Sequence, residues 1–286
     1  MLSKWKNKFT SQEFGLTHKD PEIFVICQWQ HKNTPSIWYL LYRWLVVIYF
    51  ITTWLLSILI VKTKTDSYQL KWLIYLTHWG YTTCTFQALL AAFMLTSCVL
   101  AHKKKPYKPS KDGAFTCYKL YWAFNTIATV LACVITIVYW SFIYNPAKNP
   151  LDVMNFILHG MNTVLMLFDF WLVSHPTRIA HCIYPMMFVT VYAIFSVIYY
   201  LAGGTSRDGT DYIYPILKWE LPFRTLLVCA GVGIFIFALQ TFFFLMYLLK
   251  KRVHKKLGRR KSIELNSSSP RCDGYVNEAV IAGDEV

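Results

Sequence analysis

Long apolar stretches alternate with short polar ones along the chain, and six of them dominate, at roughly residues 37–61, 72–101, 119–144, 153–174, 179–202 and 223–249. Each meets the ~20 residues needed to cross a ~30 Å hydrocarbon core as a helix. Strands of a membrane barrel would instead show ~10-residue segments of alternating polarity. Backbone polar groups find no water in lipid, so apolar runs of this kind must close their hydrogen bonds internally as helices. The fold class is therefore all-α, a polytopic bundle of six transmembrane helices. It divides into an N-terminal segment (1–36), a six-helix domain (37–249) and a tail (250–286), basic at first and then disordered. The second run is long enough to tilt or to extend past the bilayer. Pro185 is expected to kink the fifth helix. Gly231 and Gly233 permit close helix contact in the sixth but do not form the Gly-x-x-x-Gly dimer motif. The patch Glu22–Gln30 is moderately apolar and is read as interfacial. No early apolar region precedes the first run, so a cleavable signal peptide is not expected.

Composition agrees with this pattern. Hydrophobic residues make up 55% of the chain and charged residues 15%, where soluble domains carry about a quarter charged. The net charge of +14 does not point to nucleic acid, because no polar domain is long enough to carry a basic groove. Lys and Arg instead mark topology. Twenty lie in the two termini and in the second and fourth loops, against seven in the alternate loops. By the positive-inside rule both termini face the cytosol. Eight of the twelve residues 250–261 are Lys or Arg. Lys250, Lys251, Arg252, Lys255, Lys256, Arg259 and Arg260 are thus candidates for anionic inner-leaflet headgroups, although a plain stop-transfer signal would look the same. The cysteines do not fall in the outer loops or at zinc-site spacing, so neither a disulfide framework nor a metal is expected, and no cofactor motif appears.

Polar side chains inside apolar runs are costly and therefore informative. In the fourth run Asn155, His159, Asn162 and Asp169 fall within about an 80° arc of one helix face. That face must look into the bundle, and Asp169 must be paired or protonated. In the second run Thr77, Tyr81 and Cys84 share a face, with His78 beside them. Arg43 lies near the start of the first helix and is expected to snorkel to headgroups. Counted from the run starts, Thr77 and His159 each lie about six residues in, roughly 9 Å deep. A hydroxyl and an imidazole at one depth on parallel helices would make an activated nucleophile, with His159 as base and Asn155 or Asn162 orienting it. Interhelical hydrogen bonding alone would use the same residue types.

The stretches KWLIYLTHWGYTTC (71–84), LDVMNFILHGMNTVLMLFDFWLVSHPTR (151–178) and YPILKW (214–219) resemble the rolling stone family across the six-helix region. The resemblance implies a plasma-membrane protein of cell fusion or differentiation, since the founding member is associated with myoblast fusion. The chain is also distantly similar to the androgen-induced and androgen-dependent membrane hydrolases of fatty-acid esters of hydroxy fatty acids. That similarity places an intramembrane Thr nucleophile on Thr77 and a His on His159, and implies a lipid-ester substrate. The residues around His159 match loosely, and His78 directly follows Thr77, so a relic site that keeps the fold without the chemistry stays open beside an enzyme. A channel or transporter gains little support, for there is no ring of charge and no pair of broken helices.

Overall fold

The computed structural model describes residues 10–30, 34–61, 71–102, 117–146 and 151–268. Among them the regular structure is helical, apart from an isolated bridge between Cys27 and Val173. Six helices are long and apolar enough to cross a membrane. They are α1 (Ile37–Val61), α2 (Leu76–His102), α3 (Cys117–Ile143), α4 (Val153–Leu172), α5 (Ile179–Leu201) and α6 (Pro222–Ser268). The chain divides into two compact units, Met1–Tyr247, which contains the packed bundle, and Leu248–Val286.

Four boundaries and placements differ from the sequence reading. The second helix begins at Leu76 rather than 72, because Lys71–Ile74 form turns. Pro185 sits in the first α-helical turn of α5, just after a 3₁₀ turn at Ile179–Cys182. There its missing N–H is one of the first-turn donors that have no acceptor within the α-helical segment. The sixth helix does not stop near 249. It runs to Ser268, because Lys and Arg are good helix formers and no proline intervenes before Pro270. Asn266–Ser268, expected in the disordered tail, are thus helical, and 269–286 lie outside the described residues, as do the lysine-rich connection 103–116 and residues 1–9. Finally, Phe24 and Val25 of the expected interfacial patch are buried in the bundle against Tyr118, Tyr121 and Trp122.

Small residues bring α1, α2 and α3 together. Ala88 and Ala92 of α2 and Ala128 and Ala132 of α3 are buried in one cluster with Val47 and Phe50 of α1. Short side chains at a helix crossing let the backbones approach and gain dispersion contact, which is what holds helices together in lipid. The N-terminal segment closes one end of this bundle. Arg178 donates to the carbonyls of Gly15 (2.6 Å) and Thr17 (3.3 Å), and the Tyr184 hydroxyl donates to Phe14 O (2.6 Å).

The connection between α5 and α6 closes the opposite end. Gly203 takes φ of 73°, the left-handed conformation that ends a helix without a Cβ clash. Lys71 then donates to Thr205 Oγ1 (2.9 Å) and Ser206 O (2.8 Å), and the Arg207 guanidinium lies over the Tyr75 ring at 4.9 Å. Ile213 and Tyr214 are buried. The Gly-rich stretch after α5 is a lid folded down onto the start of α2.

Candidate functional site

Two polar clusters lie inside the bundle. The first surrounds Asp169, near the end that the N-terminal segment closes. Asp169 Oδ1 accepts from Arg43 Nη1 at 2.7 Å and from the Tyr42 hydroxyl at 3.0 Å. Its Oδ2 accepts from Asn125 Nδ2 at 3.5 Å. Arg43 Nη2 in turn donates to the hydroxyls of Tyr39 and Tyr121. Both side chains of the ion pair are 2% exposed. Arg43 therefore does not snorkel. It turns inward because a buried carboxylate without a counter-charge would cost several kcal/mol, and Asp169 and Arg43 each supply what the other needs.

The second cluster lies toward the lid, and π-helical turns shape it. Tyr139–Ile143 ends α3 as a π-turn, and Ile157–Met161 interrupts α4 as another. Asp152 caps the start of α4 by accepting from Asn155 N. The two π-turns meet: the rings of Tyr139 and His159 stack with centroids 3.5 Å apart, and Trp140 Nε1 donates to His159 O at 2.9 Å. Such insertions re-aim a side chain that a regular 3.6-residue period would point elsewhere. His159 is buried, and its Nδ1 has no hydrogen-bond partner among the described residues.

Neither flanking amide orients that imidazole by a hydrogen bond. Asn155 Oδ1 accepts from the Tyr139 hydroxyl at 2.7 Å, and Asn162 Oδ1 accepts from Thr163 N at 2.8 Å and from Thr136 at 3.4 Å. All four polar residues of α4 nonetheless face the bundle as the arc argument requires, with His159, Asn162 and Asp169 buried and Asn155 half-buried.

Thr77 is the second residue of α2, not six residues into it, because that helix starts at Leu76. Its amide donates to the Tyr214 hydroxyl at 3.4 Å, a long contact. Burial pushes the Tyr214 phenol up to about 12, opposed by its hydrogen bonds with Thr77, so the group stays a neutral donor at physiological pH. His78 stacks on Trp72 at 4.3 Å, also with a buried Nδ1 that has no hydrogen-bond partner among the described residues. Tyr139 links Thr77 and His159, since it stacks on His159 and shares the cavity wall with Thr77, but neither His78 nor His159 lines that cavity and no hydrogen bond joins Thr77 to His159 among the described residues. Asp169 belongs to the other cluster.

Thr77 lines a cavity of about 400 Å³ enclosed by α2, α3, α5, α6 and the lid. The volume falls in the range of small-molecule sites. Its wall is almost wholly apolar, with Val134, Ile135, Val189 and Val232 along its sides and Thr77, Tyr139 and Tyr214 among its few polar groups. Tyr139 and Tyr214 were missed as site residues. Tyr214 opens the YPILKW stretch that the resemblance rests on, whereas Tyr139 is placed by a π-turn that no period reveals. Among the described residues no group of three or more His, Cys, Asp or Glu is arranged to hold a metal.

Of the basic residues after 249, Lys251, Arg252, Lys255 and Lys256 are exposed, whereas Lys250 is buried and stands apart from that set. The side chains of Arg259 and Arg260 lie outside the described residues.

Comparison with known proteins gives two matches. A family model described as "Protein rolling stone" matches residues 2–264. Protein rolling stone of Drosophila melanogaster is 31% identical over 248 residues, which cover 85% of this chain and 88% of the fly protein. No solved structure matches.

Proposed function

We propose a function from one premise: the chain belongs to the rolling stone family and is an integral multi-pass membrane protein. Its cellular role is in fusion or differentiation at the plasma membrane, with both termini cytosolic and the exposed cations after residue 250 against anionic headgroups. The family resemblance and the Lys/Arg bias support this part of the reading.

Its molecular activity is hydrolysis of a lipid ester, and the observation that carries this is Thr77 in the wall of an apolar cavity inside the bundle. The acyl chain fills the cavity and brings its carbonyl to Thr77. Thr77 Oγ attacks that carbon while His159 takes the hydroxyl proton, since threonine alone is a poor nucleophile near neutral pH. The C–O bond to the alcohol breaks, and the alcohol leaves with the proton from His159. Water, giving a proton to the same imidazole, then attacks the acyl-Thr77 ester; the bond from the acyl carbon to Thr77 Oγ breaks, the imidazole returns the proton to Oγ, and the fatty acid is released. The neutral Tyr214 phenol is the donor best placed near Thr77 for the oxyanion. The free His159 Nδ1 suits a base whose partner arrives with substrate, for catalytic hydrogen bonds often close only in the complex.

The test is labelling of membranes carrying the full-length protein with a long-chain fluorophosphonate. Labelling of the wild type that both Thr77→Ala and His159→Ala remove, at matched expression, is expected. A well-expressed wild type that takes no label would contradict the enzymatic reading and leave the fusion role to be tested by cell–cell fusion assays.

A further inference from the structure

The cavity is not sealed from its surroundings. Ile194 of α5 and Leu226 of α6 both line it, yet they are 55% and 58% exposed. A side chain that faces a cavity and the exterior at once stands at a mouth. Thr190, Ile194 and Val197 follow one another at helical spacing on α5, and Leu226, Cys229 and Val232 do so on α6, so each helix offers one continuous edge. Deeper in the bundle the two helices are bridged by packing, with Met186 and Val189 of α5 in one cluster with Ile236 and Leu239 of α6. Toward the lid that packing gives out. At Gly231 and Gly233 an added Cβ would meet nothing within 4 Å, so these two positions turn outward while Val232 between them faces the cavity.

Both edges belong to membrane-spanning segments, so the gap opens onto lipid and not onto water. Along α3 the lining runs from Val134 to Ile143, nine residues or about 13 Å by helical rise, close to the ~15 Å half-thickness of a hydrocarbon core. We infer that the gap between α5 and α6 is a lateral portal through which one hydrocarbon chain of a bilayer lipid slides into the cavity, its carbonyl end toward Thr77. The occupant is a single chain because the depth matches one leaflet and the wall offers almost no polar partner below Tyr139. Val232 and Val189, at the inner end, limit the length of chain accepted. This rests on the proposed Thr77 chemistry only for the orientation of the chain.

The test uses the full-length protein in phosphatidylcholine nanodiscs doped with a phosphatidylcholine that carries a photoactivatable diazirine at one chain terminus. After irradiation, peptide-resolved mass spectrometry should find lipid adducts on Val189, Cys229 and Val232. Narrowing the mouth with Val197→Trp and Leu226→Trp should lower those adducts about tenfold, while widening it with Val197→Ala and Leu226→Ala should not. Adducts confined to outward residues such as Ile234 and Phe237, with the cavity unlabelled, would overturn the portal. So would cavity labelling equal in the narrowed and widened proteins. Thr77→Ala should label like the wild type. Labelling of the cavity in a protein without esterase activity would uphold the portal and sink the hydrolase reading separately.

Discussion

The two polar clusters inside the bundle use similar side chains but are finished differently. Around Asp169 the partners close on one another: Arg43 and Tyr42 bond the carboxylate, and Tyr39 and Tyr121 take the rest of the guanidinium. Only a cleft of about 20 Å³ reaches its edge, at Asn125, among the described residues. Around His159 two buried imidazole nitrogens go without a hydrogen bond, π-turns displace the helices, and an apolar cavity of about 400 Å³ opens beside Thr77. Unpaired polar atoms in a low-dielectric interior are costly. We propose that the first cluster is structural and the second a site, because the second alone combines such atoms with a cavity of ligand size.

Substitutions can break this contrast. The largest effect is expected at Asp169→Ala, which strands Arg43 and should cost about 3–5 kcal/mol, seen as a fall in thermal stability of the detergent-purified protein. The double change Arg43→Met, Asp169→Leu should recover most of it, because a packed apolar pair needs no counter-charge. His159→Ala should cost less, about 1–2 kcal/mol for the lost stacking on Tyr139 and the buried ring, despite its burial. Equal losses at Asp169 and His159 would erase the distinction. Tyr139→Phe keeps the stacked ring and loses only the bond to Asn155, so about 1 kcal/mol is expected. The smallest effect should come from Gly80→Ala. Its Cβ would press on Ile135 Cδ1, but Ile135 lines the cavity and can turn into it. Stability should then change by under ~1 kcal/mol, while lipid uptake falls as the cavity narrows.

How much of this was legible beforehand follows from what kind of signal each feature leaves. Helix count and type were readable, because apolar runs of membrane-crossing length admit little else. The inward arc of Asn155, His159, Asn162 and Asp169 was readable from spacing. The fate of Arg43 was not, since its position near a helix start suits snorkelling equally well, and its partner lies 126 residues away. The equal depth assigned to Thr77 and His159 assumed that α2 begins with its apolar run. The turns at Lys71–Ile74 displace that start, and the π-turn at Ile157–Met161 interrupts the regular rise of α4. The lid left no signal, because buried Ile213 and Tyr214 are too few to register as an apolar segment.

The central claim is that Thr77 at the cavity wall is a reactive group and not a packing residue. The measurement that tests it most directly is release of fatty acid from a hydroxy-fatty-acid ester by the purified full-length protein in nanodiscs, comparing wild type with Thr77→Ala and Thr77→Ser at equal thermal stability. Turnover in the wild type, its loss in Thr77→Ala by at least about a hundredfold and its partial return in Thr77→Ser are the expected results. Turnover in Thr77→Ala equal to wild type, or a stable and lipid-loaded wild type with no turnover, would contradict the claim.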